Sequence, residues 1–151
     1  MKILTSLLLT SILSPLLLFS DTNVKIKTNP LALAIGALNI KSEINLFDNF
    51  SIEPVLTLMY DRDEGNLFPI YGVNSYYYFN GNDKNSYFIT GGVSIFDKKS
   101  IDIQSEKTMY NGSFGYQMID EDDIAFSFSI GFISRDNATL PMLFLDIGKL
   151  F

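Results

Sequence analysis

The chain has 151 residues, which suits one domain and leaves little room for a second. Seventeen acidic residues stand against eleven basic ones, and this balance argues against a nucleic-acid partner, which requires basic patches. The sequence contains neither cysteine nor histidine. It therefore offers no disulfide, thiol nucleophile or imidazole base, and we expect neither an enzyme nor a bound cofactor.

The N-terminus has the pattern of a secretory signal peptide. Lys2 precedes an apolar stretch, and Ser20 provides a small residue before a polar run. Pro15 interrupts the apolar stretch, whereas a membrane-spanning helix needs about 20 consecutive apolar residues. We therefore predict a cleaved signal peptide over residues 1–20, rather than an uncleaved anchor, and a mature domain over residues 21–151.

Large apolar residues alternate with small or polar ones in seven short segments after the signal peptide. In the clearest segment, Phe126, Phe128 and Ile130 alternate with Ser127 and Ser129. Each segment is about ten residues long, which is the length of a tilted transmembrane β-strand. In chain order, the segments cover residues 38–46, 50–60, 71–79, 87–95, 110–118, 124–133 and 143–151.

An eighth strand is expected at the start of the mature chain, because single-chain bacterial barrels have an even number of strands. The sequence places it within residues 24–34, where Lys25 and Lys27 occupy alternate positions. Pro30 cannot donate a hydrogen bond to a neighbouring strand, so a bulge or a strand break is expected there. Gly36 would then lie in the first hairpin.

Connections and aromatic residues indicate how the strands cross the membrane. Short polar turns at 47–49, 81–85 and 120–123 alternate with outer loops at 61–66, 97–107 and 134–140. Aromatic residues lie near both strand ends, as the two bilayer interfaces favour. We predict an all-β, eight-stranded antiparallel up-and-down transmembrane β-barrel. The predicted lower girdle is Phe50, Phe79, Tyr87, Tyr116, Phe126 and Phe151, and the upper girdle is Tyr60, Tyr71, Tyr110 and Phe132.

Charged residues on the small, polar face predict what fills the barrel. Lys41, Glu43 and Glu53 lie on neighbouring strands and predict a polar network in the lumen. The interior of an eight-stranded barrel is only wide enough for side chains. We favour a structural ion network over a gate or ion path, because unpaired charges there would be costly. Further inward bulk is expected from Tyr76, Tyr78, Phe88 and Phe144.

Two acidic stretches, at residues 61–64 and 120–123, are candidates for calcium binding, since calcium prefers oxygen ligands. Neither has the spacing of a calcium-binding loop, so solvated turns are favoured and no metal site is predicted.

The C-terminal residues 143–151 resemble the terminal β-signal of bacterial outer-membrane proteins, in which hydrophobic positions alternate up to a final aromatic residue. Lys149 departs from that pattern, because it stands where an apolar side chain is usual. The matching positions are Leu143, Leu145, Ile147 and Phe151, with Gly148 at a commonly small position.

Residues 24–29, 38–43 and 50–53 also look like the opening of small outer-membrane barrels of unknown function, and the mature chain resembles the OmpA/OmpX class in size and layout. This resemblance implies a bacterial outer-membrane location and contact with outer-membrane lipid. It also implies recognition by the barrel-assembly machinery through the C-terminal strand, and a monomeric state.

A non-enzymatic structural or surface role in the cell envelope is the function we favour from the sequence. The alternatives are a narrow pore, a ligand-binding or adhesive module acting through short extracellular loops, and a soluble lipocalin-like carrier of the periplasm.

Overall fold

A computed structural model describes residues 23–61, 65–96, 108–135 and 138–151. The predicted signal peptide lies outside these residues. In the described part, one five-residue helix accompanies eight strands, and no helix is long and apolar enough to cross a membrane. The elements are β1 (Val24–Thr28), α1 (Pro30–Ala34), β2 (Ala37–Phe47), β3 (Phe50–Asp61), β4 (Asn66–Tyr78), β5 (Ser86–Phe96), β6 (Thr108–Ile119), β7 (Ile124–Arg135) and β8 (Ala138–Leu150).

The eight strands form one closed barrel in chain order, and every neighbouring pair is antiparallel. The barrel closes where β1 pairs with β8, with Lys27 opposite Gly148. Beyond that register, the backbones of Val24 and Phe151 exchange hydrogen bonds of 3.3 and 2.9 Å. Closure leaves no free sheet edge. The predicted eight-stranded up-and-down barrel is confirmed.

The first strand is shorter than predicted, because the chain turns into α1 after Asn29. The Asn29 side chain accepts hydrogen bonds from the backbone N–H groups of Leu31 and Ala32, at 2.9 and 3.3 Å. Pro30 occupies the first helical position, where its missing N–H costs nothing. Gly36, with φ +81°, then leads into β2. The expected break at Pro30 is present, but the strand predicted as far as residue 34 is wrong.

The end of the barrel where α1 lies is here called the loop end. At this end, the strands stay paired beyond the residues whose apolar and polar side chains alternate. Asn66 pairs with Asp61, and Ala138 pairs with Arg135. The predicted loop boundaries at 61–66 and 134–140 are therefore wrong, because ladder hydrogen bonds need no apolar side chains. The opposite end, with turns at 48–49, 79–85 and 120–123, is called the turn end.

The outer surface of the barrel is apolar. On β7, Phe128 and Ile130 are 53% and 56% exposed, whereas Ser127 and Ser129 are 8% and 5% exposed and face the lumen. A water-soluble barrel would place these rings inside. Most predicted girdle residues lie on this outer surface: Phe79, Tyr87, Phe126, Phe151, Tyr60, Tyr110 and Phe132 are exposed, and Phe50, Tyr71 and Tyr116 are half-buried.

Candidate functional site

The turn half of the lumen contains a cluster of buried, oppositely charged side chains. Lys27 Nζ lies 2.7 Å from Glu43 Oε2 and also forms an ion pair with Glu53. The other carboxylate oxygen of Glu43 accepts a hydrogen bond of 2.9 Å from Lys25 Nζ. Relative exposure is 0% for Lys25, Glu43 and Glu53, and 3% for Lys27. Two cations thus offset two carboxylates, which lowers the cost of burying charge.

Aromatic side chains surround these charges and donate to them. The hydroxyl of Tyr78 donates to both oxygens of Glu43 at 2.9 Å, and that of Tyr76 donates to Glu53 at 3.1 Å. The two tyrosine rings stack with centroids 5.8 Å apart, and Phe88 packs against both.

The ammonium groups also face these rings. Lys25 Nζ lies 4.6 Å from the Tyr78 centroid, and Lys27 Nζ lies 4.4 Å from the Tyr76 centroid. Cation–π attraction therefore adds to the ion pairs.

Gln117 connects this cluster to the turn end. Its side-chain oxygen accepts from Lys25 Nζ at 2.9 Å. Its amide nitrogen donates to the backbone carbonyls of Asn82 and Lys84, at 3.1 and 3.0 Å. The charged side chains, the aromatic rings and the turn thus form one connected group that fills the turn half of the lumen, here called the plug. Its members are Lys25, Lys27, Glu43, Glu53, Tyr76, Tyr78, Phe88 and Gln117.

Of the three residues predicted to form a lumen network, the structure brings Glu43 and Glu53 together through Lys27. Lys41 binds Asp146 on β8 instead, with Nζ 2.7 and 2.9 Å from the two carboxylate oxygens. Both side chains of this second pair are 8% exposed. The direct ion pair of Lys41 is thus with Asp146, whereas the two glutamates share Lys27.

Sequence reasoning missed the two lysines that neutralise the glutamates. Lys25 and Lys27 lie on the five-residue β1, so their alternation with Val24 and Ile26 was the only signal that they face the lumen. Gly148 was singled out only through the terminal pattern, yet it also makes room for β1. A methyl group on Gly148 would lie 2.5 Å from Lys27 Cγ.

The loop half of the lumen holds a cavity of about 640 Å³ instead of a plug. Lys41, Asp146 and Tyr76 line it on the side of the plug, and Leu31 and Ile35 line it beside α1. The sequence-based expectation of a filled lumen is therefore wrong for this half, although the inward rings of Tyr76, Tyr78 and Phe88 do fill the turn half.

The remaining predicted residues lie on the outer wall or in turns. Leu143, Ile147 and Phe151 are exposed, and Leu145 is half-buried. The acidic stretch at 120–123 forms a turn in which the Asp120 carboxylate accepts from two backbone N–H groups. Most of the stretch at 61–64 lies outside the described residues. Among the residues that are described, no group of three or more acidic side chains is placed to hold a metal ion.

Comparison with known proteins finds similarity in structure but not in sequence. No family model matches the chain, and no curated protein matches it. The N-terminal β-barrel domain of Pseudomonas aeruginosa OprF superimposes with a TM-score of 0.63 at 12% identity, covering 86% of this chain and 96% of that domain. The Yersinia pestis outer membrane protein Ail, determined in a phospholipid bilayer nanodisc, gives a TM-score of 0.53 at 17% identity, covering 87% and 100%. The chain thus has the eight-stranded fold of small bacterial outer-membrane β-barrels, as its resemblance to the OmpA/OmpX class implied.

Proposed function

We propose that this chain is a non-enzymatic integral protein of the bacterial outer membrane, with a structural role in the envelope and a lumen closed to solutes. The observation that carries this proposal is the plug. A solute would have to displace buried ion pairs and stacked rings to pass from one end of the barrel to the other. The apolar outer wall supports membrane insertion, because a lipid-facing barrel alternates apolar-out with polar-in.

The location is tested by separating the envelope of a cell that produces the protein. We expect the protein in the outer-membrane fraction, with faster gel migration before heating than after it, as a detergent-resistant barrel gives. Recovery from the soluble periplasm without detergent would overturn membrane insertion and would favour the soluble carrier.

The closed lumen is tested by recording current across a planar lipid bilayer that contains the folded protein. We expect only background conductance from the wild-type chain. Replacing the three inward rings by alanine (Tyr76, Tyr78 and Phe88) removes the bulk of the plug, so we expect discrete current steps from that variant.

The matched control replaces three outward rings on the same part of the sheet, Tyr77, Tyr87 and Phe114, by alanine. It loses similar ring volume from the lipid face, so its conductance is expected to stay at background. Discrete steps from the folded wild-type chain would contradict the proposal and would establish a narrow pore.

A further inference from the structure

The cavity in the loop half of the lumen has an apolar wall. Its volume of about 640 Å³ lies within the range of roughly 300–1,000 Å³ that small-molecule sites occupy. Strands β2 to β8 and α1 all contribute to the wall, so the cavity is enclosed laterally. Its apolar lining includes Val55, Met59, Phe68, Met109, Ile133 and Met142.

Two pairs of polar side chains on the wall are engaged with one another. The amide nitrogen of Asn39 donates to Thr57 at 2.6 Å, and that of Asn111 donates to Asn74 at 3.2 Å. The oxygens of Asn39 and Thr90 that lack a partner are covered by neighbouring atoms and cannot be reached from the cavity. The surface that an occupant would touch is therefore mainly apolar.

The end of the cavity that faces the plug carries no uncompensated charge. Lys41 and Asp146 line it and neutralise each other there. An ionised ligand head would have to compete with this ion pair in order to bind deep in the lumen. A ligand that leaves the pair intact must place an apolar part beside it.

The mouth of the cavity combines apolar side chains of α1 with Arg135 at the end of β7. Leu31 and Ile35 line it from α1 and are 48% and 64% exposed. α1 is held in place by the Asn29 cap and by its contacts with β2 and β8. These residues place an apolar surface where a hydrocarbon chain would enter.

We propose that the loop half of the lumen binds one hydrocarbon chain of a lipid-like amphiphile, with the polar head outside the mouth. The chain would contact the apolar wall and end beside the Lys41–Asp146 pair. This inference goes beyond the structural role proposed above, because a closed, non-conducting barrel needs no ligand.

Photolabelling tests the proposal with the protein in phosphatidylcholine vesicles. The probe is a medium-chain fatty acid that carries a diazirine near the end of its chain, and labelled residues are identified by mass spectrometry. We expect labelling of Val55, Tyr76 and Phe144, which line the cavity on the side of the Lys41–Asp146 pair, and this labelling should saturate and be displaced by excess unlabelled fatty acid. Labelling of the outward Phe114 and Ile130 is expected to be neither saturable nor displaced.

A second probe, a phosphatidylcholine with the diazirine on one acyl chain, distinguishes a membrane phospholipid from a free fatty acid as the source of the hydrocarbon chain. Lumen labelling by either probe supports the proposal and identifies its source. The proposal would be overturned if both probes labelled the outer wall and neither gave displaceable labelling in the lumen.

The variant Ala37→Phe fills the cavity from β2, and Leu38→Phe places the same ring on the outer face of that strand. We expect Ala37→Phe to weaken displaceable lumen labelling by about tenfold or more, as the loss of a fitted apolar contact does. Leu38→Phe should leave it unchanged. The wild-type displacement experiment decides the proposal even if Ala37→Phe does not fold. Absence of outer-wall labelling would instead count against membrane insertion.

Discussion

The two halves of the lumen solve the same packing problem in opposite ways. In the turn half, Lys27 lies between two glutamates and rings fill the remaining space. In the loop half, small side chains such as Ser94 and Ser113 leave a cavity. Strands β2 to β8 run through both halves with alternating inward and outward side chains. The difference shows that alternation sets which side chains face inward, whereas their size and charge decide whether the interior is closed.

Charge placement follows the same division. All four ionised groups of the plug have a partner within the plug, and the second ion pair lies where plug and cavity meet. The charges of the plug and of the Lys41–Asp146 pair thus lie where an opposite charge is within reach, as the cost of burying an unpaired ion requires.

Breaking the plug at its shared cation should have the largest effect on stability. The variant Lys27→Met keeps the length and apolar stem of the side chain but leaves Glu53 without its cation. We expect the free energy of unfolding to fall by about 3–5 kcal/mol, the usual cost of leaving one partner of a buried ion pair. Urea unfolding of the folded barrel, followed by gel migration without heating, measures the change.

The control for this variant is Lys149→Met, which removes an exposed lysine of β8 that donates only to a backbone carbonyl, at 3.1 Å. Its expected effect is within about 0.5 kcal/mol of wild type, as for most surface substitutions. If both variants were equally stable, the ion pairs of Lys27 would contribute no more to the free energy of unfolding than a surface charge does.

The ion pair between plug and cavity should give a smaller effect that depends on both partners. Asp146→Leu leaves Lys41 without its carboxylate, and Lys41→Met does the reverse. Because the two groups are in contact, a double-mutant cycle should give a coupling energy of about 0.5–3 kcal/mol. The stability losses of the two single variants should together exceed the loss of the double variant. Strictly additive losses would show that the pair is not formed.

Much of the fold could be predicted from the sequence, because alternation over about ten residues is a strong signal of a membrane strand. Where the segment was short, the prediction failed. The Asn29-Pro30 pair predicts a bulge or a strand break when read only for its missing donor, although an N-cap residue followed by proline is also a helix start. The pairing of Lys25 and Lys27 with the glutamates depends on how β1 closes the barrel against β8, which no local pattern encodes.

The cavity could not be predicted for a different reason. Small inward residues occur in both halves of β5 to β7, so their positions alone do not locate a void. In the turn half, Gly115 accommodates the Phe88 ring, since a methyl group on Gly115 would lie 2.6 Å from Phe88 Cζ. In the loop half, Ser94 and Ser113 face the open cavity. The size of the side chains that face these residues across the barrel decides whether a void forms. Which side chains face each other is known only from the strand register.

The most direct test of the contrast between the two halves is thiol accessibility, which the absence of native cysteine makes possible. Ser86→Cys and Ser94→Cys place the same group on the inner face of β5, the first beside the plug at 0% exposure and the second on the cavity wall. Each folded variant is first freed of bound lipid by detergent exchange and is then treated with a small, uncharged, water-soluble thiol reagent. We expect rapid modification at position 94 and none at position 86 until the protein is unfolded. Equal modification at both positions would contradict a closed turn half, and protection of both would contradict an open loop half.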